Sequence, residues 1–268
     1  MLGKLIKYDL KYGVRIFIVL HFVLLCACTL GRFFVMERID FSAPVNTIIS
    51  ALIVFMSVLI LLFTAVCFGI TALIAVRFYK NLFTDEGYLT WTIPATPTQH
   101  LAAKIISGVI WECGNLLLCY LGLWILFSGS NVTTAYAVIA KKVAQSLGGL
   151  AISQFGLTCL FYGLLGTIGS VIIIYLCICI GQLFPGHRVM CSIVVYFILT
   201  AVTQLLTFAF MFAFNIAPGT TNYALMTEGD ATQYLLTAFR ISAIMAVLQA
   251  IAGYIGVHYI MHKKVNLS

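Results

Sequence analysis

Six stretches of this chain, at about 16–36, 45–76, 105–127, 155–184, 189–214 and 235–261, are apolar for roughly twenty residues or more. That pattern constrains the fold more than any other. A helix rises about 1.5 Å per residue, so ~20 apolar residues cross the ~30 Å hydrocarbon core of a bilayer. Inside that core each backbone N–H and C=O needs a partner within the protein, which leaves helices or closed barrels, and barrel strands are about half as long as these runs. The expected fold is all-α: a polytopic membrane bundle of six transmembrane helices, forming a single domain over residues 1–268.

Composition supports the same class. Of the residues 62% are hydrophobic and 9% charged, against about 25% charged in a soluble domain. Too few charges exist to cover a water-exposed surface, and no polar stretch is long enough for a soluble catalytic domain. Disorder is excluded because it requires low hydrophobicity. The net charge of +7 would suggest nucleic acid in a soluble protein. Here it reflects Lys and Arg in loops on one side of a membrane, and no nucleic-acid partner is expected. The nine cysteines all fall inside apolar runs without a Cys-x-x-Cys pair, so they read as buried thiols rather than disulfides or metal ligands. No metal site is expected.

The loop charges orient the bundle. Ten of the 15 Lys and Arg residues fall on one side: the amino-terminal segment, the 77–104 loop, Arg188 and the carboxyl-terminal Lys263 and Lys264. The positive-inside rule then places both termini in the cytoplasm. Lys141 and Lys142 fall on the other side and oppose this assignment. Within residues 1–15, Lys4, Lys7, Lys11 and Arg15 recur at spacings of three and four, on one helical face. They predict an interfacial amphipathic helix on membrane lipid, or else a solvated basic leader. Leu25-Cys26-Ala27-Cys28 loosely resembles a lipoprotein cleavage site. The long preceding segment with Asp9, and the apolar character continuing to Met36, favour a retained span. Asn131-Val132-Thr133 matches a glycosylation sequon, a pattern common by chance.

Helices associate in lipid through small residues and interhelical hydrogen bonds. Ser50, Ser57, Thr64 and Thr71 repeat every seven residues and form one stripe, read as a packing seam or a polar lining. Gly163 and Gly166 offer a similar close-contact surface in the fourth span. Lys104, Gly108, Glu112, Asn115, Cys119 and Gly122 share a face of the third. Glu112 is the only acid inside an apolar run, and an acid at that depth is a functional candidate by default. Its alternative role is structural, bonded to a neighbouring helix. Asn115, Gln204 and Gln249 are further intramembrane polar candidates. His21 and His258 stand alone near span ends, where a lone histidine is ordinarily interfacial. No nucleophile–base pair and no H-E-x-x-H occurs, so no catalytic residues are assigned.

The 77–104 loop is the longest on the basic side. Phe78, Tyr79, Leu82 and Phe83 keep helical spacing, so the second helix should run on past the membrane. Gly87 reads as its stop. Tyr88–Ile93 alternates large and small residues and reads as extended. Thr96, Pro97 and Gln99 form a helix start, with Thr as N-cap, Pro at the first position and Gln at the third.

At this loop the chain resembles bacterial ABC-2-type transporter permeases. The resemblance rests on the basic amino terminus, the six-span layout, the run Phe83-Thr84-Asp85-Glu86-Gly87-Tyr88-Leu89 followed by Thr92-Ile93-Pro94, and Ile180-Gly181-Gln182-Leu183-Phe184. It covers the whole chain in layout, and those short pieces in residues. It implies a permease subunit in a bacterial cytoplasmic membrane, paired with a second copy or a paralogous permease. A separate soluble ATPase would bind ATP and Mg, and the permease itself would bind no cofactor. Phe83, Asp85, Glu86, Gly87, Tyr88 and Leu89 would be the coupling region; the alternative is a capped turn that only joins two helices. The absence of G-x-x-x-x-G-K-[ST] agrees with a partner-powered machine. The cargo implied is amphipathic, since no span carries paired acids and bases. The competing readings are an ion-coupled carrier, a non-transporting scaffold and an intramembrane enzyme.

Overall fold

The computed structural model describes residues 2–40, 45–147, 149–214 and 228–263. Their regular elements are all helices, with no strand among the described residues. In chain order the elements are α1 (Leu2–Gly31) with a π-helical turn at Arg32–Met36, α2 (Val45–Phe83), α3 (Asp85–Thr92), α4 (Pro97–Phe127), α5 (Ser130–Ser146), α6 (Ile152–Gly181), α7 (Arg188–Ala213) and α8 (Glu228–Lys263). Six of them are long and apolar enough to cross a membrane: α1 with its π turn, α2, α4, α6, α7 and α8. Their outward faces carry large apolar side chains such as Leu61 (73% exposed) and Leu205 (68%). Water would not tolerate so much contiguous apolar surface, whereas hydrocarbon is indifferent to it. The chain is a multi-pass membrane protein.

The spans alternate in direction. One end of the bundle gathers the start of α1, the end of α2, α3, the start of α4 and the ends of α6 and α8. Its core is Phe78 and Leu82 of α2, Leu101 of α4, Ile178 of α6, and Val257 and Ile260 of α8. Phe78 stacks on Tyr175 with ring centroids 3.9 Å apart. A second apolar cluster joins Leu24 and Cys28 of α1, Leu59 and Val66 of α2, and Cys119 and Leu126 of α4, toward the opposite end.

Four expectations change. The basic leader and the first span are one element, because α1 runs unbroken from Leu2 to Gly31. Gly13, the one weak point, lies against Leu73 and Trp111, where a Cβ would approach to 2.9 and 3.2 Å. The glycine is kept for close packing and does not end the helix. Second, Gly87 does not stop α2, and Tyr88–Ile93 is not extended. The break comes at Thr84, which is in extended conformation (φ −119°, ψ −171°), and Asp85–Thr92 is helical. Asp85 and Glu86 occupy the first turn of α3, where acids complement the helix dipole. The stop is Ile93 before Pro94, since a residue preceding proline is pushed out of the helical region. Third, residues 130–146, for which the sequence suggested no element, form α5 at the end opposite α3. Fourth, α6 ends at Gly181 rather than near 184. There α7 crosses so closely that a Cβ on Gly181 would sit 2.6 Å from the Arg188 carbonyl oxygen.

The extension of α2 to Phe83 and the start of α4 follow the sequence reading. Thr96 caps α4 with a reciprocal box, its Oγ1 accepting from the Gln99 N–H at 3.3 Å while Gln99 Oε1 accepts from the Thr96 N–H at 3.2 Å.

Candidate functional site

Two polar assemblies interrupt the apolar bundle. The first surrounds the elbow α3. Asp9 of α1 is 8% exposed. Its Oδ1 accepts from Arg77 Nε of α2 at 3.0 Å and from Lys104 Nζ of α4. Arg77 reaches on to Glu86 of α3, Nη1 to Oε2 at 3.6 Å, and its guanidinium lies 4.2 Å from the ring centre of Tyr12. The Tyr175 hydroxyl of α6 donates to the Lys104 carbonyl at 2.9 Å. Two cations and two acids thus tie α1, α2, α3 and α4 together. The innermost pair is almost dry, and a pair there holds only because each charge is compensated.

The elbow has two faces. Inward, Gly87 and Thr90 are buried, and Trp91 Nε1 donates to the Leu82 carbonyl at 3.4 Å. A Cβ on Gly87 would lie 2.8 Å from that same carbonyl oxygen, so only glycine lets α3 dock this closely on the end of α2. Trp91 faces His100 at 5.5 Å. Outward, Asp85 and Glu86 are exposed, Tyr88 is 56% exposed and Leu89 is 74% exposed. Phe83 is buried and packs edge-on against Phe78, so it supports the elbow from within. Lys4, Lys7, Lys11 and Arg15 are all exposed on α1 near the same end.

The second assembly lies mid-bundle, around Asn115 of α4, which is 4% exposed. His21 Nε2 is 3.0 Å from Asn115 Oδ1. The His21 Nδ1–H donates to the Phe17 carbonyl at 2.9 Å, since a carbonyl only accepts. A neutral ring then accepts at Nε2 from the amide NH2, and a protonated ring donates there to the amide oxygen, so one amide rotation satisfies either state. The Asn115 amide also reaches Cys67 Sγ of α2 at 3.6 Å. One turn away, Thr71 Oγ1 donates to Glu112 Oε1 at 3.2 Å. Glu112 is therefore bonded to a neighbouring helix.

His21 is not the isolated residue that the sequence suggested. With α1 beginning at Leu2 it falls in the middle of the helix, 3% exposed. The sequence offered no sign of this pairing, nor of Asp9, because their partners lie 94 and 68 to 95 residues away. The only hint was chemical: an acid and a histidine in a segment otherwise free of reasons to hold them.

The remaining candidates are placed apart. Of the seven-residue stripe, Thr71 meets another helix, at Glu112 of α4. Ser57 and Thr64 are exposed and donate to their own helix, at Val54 and Ile60, both at 2.8 Å. Ser50 is also exposed. The inward face of α2 is set by Leu59, Val66, Ile70 and Ile74, and the stripe lies beside it, facing out of the bundle. Gly163 does pack, since a Cβ would meet Leu116 of α4 at 2.9 Å, whereas Gly166 has open space. Gln249 of α8 donates to Thr203 Oγ1 of α7 at 3.3 Å, and Gln204 is exposed. The sequon residue Asn131 is committed to structure, its amide donating to the Met36 and Ile39 carbonyls at 2.9 and 2.7 Å. Among the described residues no three or more His, Cys, Asp or Glu side chains converge as a metal site. Compared with family models, curated proteins and solved structures, the chain matches none.

Proposed function

We propose that the chain is the transmembrane permease subunit of an ABC-2-type exporter in a bacterial cytoplasmic membrane. In this reading it pairs with a second permease, identical or paralogous, and a separate ATPase supplies ATP and Mg chemistry. The observation that carries the reading is the elbow: a short helix held at one end of the spans, with acids and two large apolar side chains turned outward. Tyr88 and Leu89 offer a partner an apolar anchor, and Asp85 and Glu86 a charged rim, the usual composition of a docking patch. Glu86 also contacts Arg77, so force applied to the patch enters the buried Asp9–Lys104 pair directly.

In this reading the elbow end is cytoplasmic, and the exposed face of Lys4, Lys7, Lys11 and Arg15 meets anionic headgroups there. The outward stripe of Ser50, Ser57 and Thr64 is available to the second permease. ATP binding and hydrolysis on the partner move the elbow, and the spans exchange inward for outward access to an amphipathic cargo. The test is co-purification. Leu89→Ser should abolish capture of the ATPase encoded beside this chain, with the melting temperature unchanged because that side chain is 74% exposed. Full capture by that variant would remove the elbow from the contact.

An ion-coupled carrier is the second reading, favoured by the His21–Asn115 pair at mid-bundle. It predicts substrate uptake driven by a proton gradient in vesicles containing this chain alone. The exporter reading predicts no such uptake.

A further inference from the structure

One groove lies beside the polar assemblies and shares only Thr71 with them among its lining residues. It lies between α2 and α7 with α6 as its floor, encloses about 540 Å³, and is walled by Phe68, Ala72 and Val76 of α2, Ile178 of α6, and Ile193 and Phe197 of α7. That volume falls in the ordinary range of ligand sites. Phe68 and Phe197 are 73% and 67% exposed, so the groove opens sideways, toward the hydrocarbon around the spans.

Its two ends differ. The α2 wall runs toward Lys80, which itself lines the groove, and the α7 wall begins at Val189 and Ser192. The end of α2 and the start of α7 lie together, beside the close of α6. Arg188 precedes Ser192 by one turn and shares its face of α7; the Ser192 hydroxyl donates to its carbonyl at 2.8 Å. The Nε of Arg188 is buried without a hydrogen-bond partner. Neither Lys80 nor Arg188 enters an ion pair among the described residues. No side chain caps the first turn of α7. A carbon-walled groove with Lys80 in its lining and Arg188 one turn before Ser192, neither of them ion-paired among the described residues, suits an anion carrying a hydrocarbon tail.

We propose that this groove is a binding site for an anionic phospholipid of the leaflet at the elbow end. One acyl chain lies between α2 and α7, and the phosphate sits between Lys80 and Arg188. An uncharged lipid would fill the groove and leave both cations unpaired, and phosphatidylcholine would bring its phosphate only together with a choline cation that offsets it. A second copy of the chain would have to bring its own acid to this point. The site requires only that the spans lie in a bilayer, so it stands or falls separately from the exporter reading.

The test uses the full chain in vesicles with photo-crosslinkable phosphatidylglycerol or phosphatidylcholine of identical acyl chains. Mass spectrometry then maps the labelled peptides. Phosphatidylglycerol should label the 68–80 and 188–197 peptides in preference to phosphatidylcholine. Lys80→Gln with Arg188→Gln should cut that preference about fivefold per cation removed, while labelling by phosphatidylcholine persists. Ala72→Trp should suppress labelling of these peptides by both lipids. The charge variant stands alone if the tryptophan variant does not fold. Equal labelling by the two lipids in the unaltered protein means annular lipid only and overturns the proposal. So does a preference that survives loss of both cations, or protection of the groove by a second copy, seen as Phe197→Cys crosslinking to itself.

Discussion

Replacing Asp9 by Asn tests the elbow network most directly, because it changes one charge and almost no shape. Asp9 holds Arg77 at 3.0 Å and also bonds Lys104. The side chains of Asp9, Lys104 and Arg77 are 9%, 6% and 18% exposed. Removing one partner from a buried pair costs about 3–5 kcal/mol, because the surviving charge is stranded out of water. An exposed pair would cost under about 1 kcal/mol. Arg77 keeps Glu86 at 3.6 Å, but that acid is 55% exposed and compensates weakly. Lys104 keeps no ion pair among the described residues. The expected loss is therefore about 3 kcal/mol, most of it assigned to Lys104. The assay is unfolding of the purified protein in nanodiscs, followed by tryptophan fluorescence, as a double-mutant cycle. In a Lys104→Met background, Asp9→Asn should cost only about 1 kcal/mol, a coupling of roughly 2 kcal/mol. A loss below ~1 kcal/mol in the single variant, or strict additivity in the cycle, would refute the claim that a desolvated ion pair fastens the elbow.

Gly87→Ala places a methyl 2.8 Å from the Leu82 carbonyl oxygen, which only a shift of α3 relieves. It should speed hydrogen exchange in Asp85–Thr92 while α6 is unaffected, and unchanged exchange would show that the elbow accommodates a side chain. Glu112→Gln keeps an acceptor for Thr71 Oγ1, so stability should hold within ~1 kcal/mol. In the proposed exporter complex, ATPase activity should nevertheless fall roughly tenfold if the charge is used; equal activity would leave Glu112 a structural acid. Asn131→Ala loses bonds to the Met36 and Ile39 carbonyls and should cost about 1–3 kcal/mol, read as a lowered melting temperature. No change would mean that water replaces both bonds.

Features set by local pattern were legible in the sequence. Apolar runs gave the six spans, and Thr96, Pro97 and Gln99 gave the start of α4, because span length and capping chemistry act over a few neighbouring residues. The elbow was found in place and mistaken in form. Tyr88–Ile93 alternates large and small residues, a pattern compatible with a short helix that buries Gly87 and Thr90 on one side. Gly87 was singled out correctly as special, but the close approach it permits depends on Leu82 folding back, and no spacing rule contains that. Asp9 and His21 were illegible for a different reason. Each finds its role through a partner on another helix, and the sequence registers only the anomaly. The continuity of the basic leader with the first span compounded this, since it puts His21 well inside one helix. The stripe of Ser57 and Thr64 shows the converse limit: periodicity identifies a face but not what the face meets.

Three polar contacts join α1, with its π-helical extension, to α4. They are Asp9 with Lys104, His21 with Asn115, and Arg32 with Ser128 at 3.1 Å. They fall at successive heights, about 18 and 16 Å apart along α1 at ~1.5 Å per residue. Parallel rods joined by three rungs resist both sliding and splaying. The pair behaves as a ladder of fixed pitch, and a push at the elbow arrives at the far surface nearly undiminished. Relative motion within the chain must then be sought at its other seams, where α6, α7 and α8 meet through largely apolar surfaces and the Gln249–Thr203 bond. The stiff half carries the polar residues, and the compliant half carries the grooves.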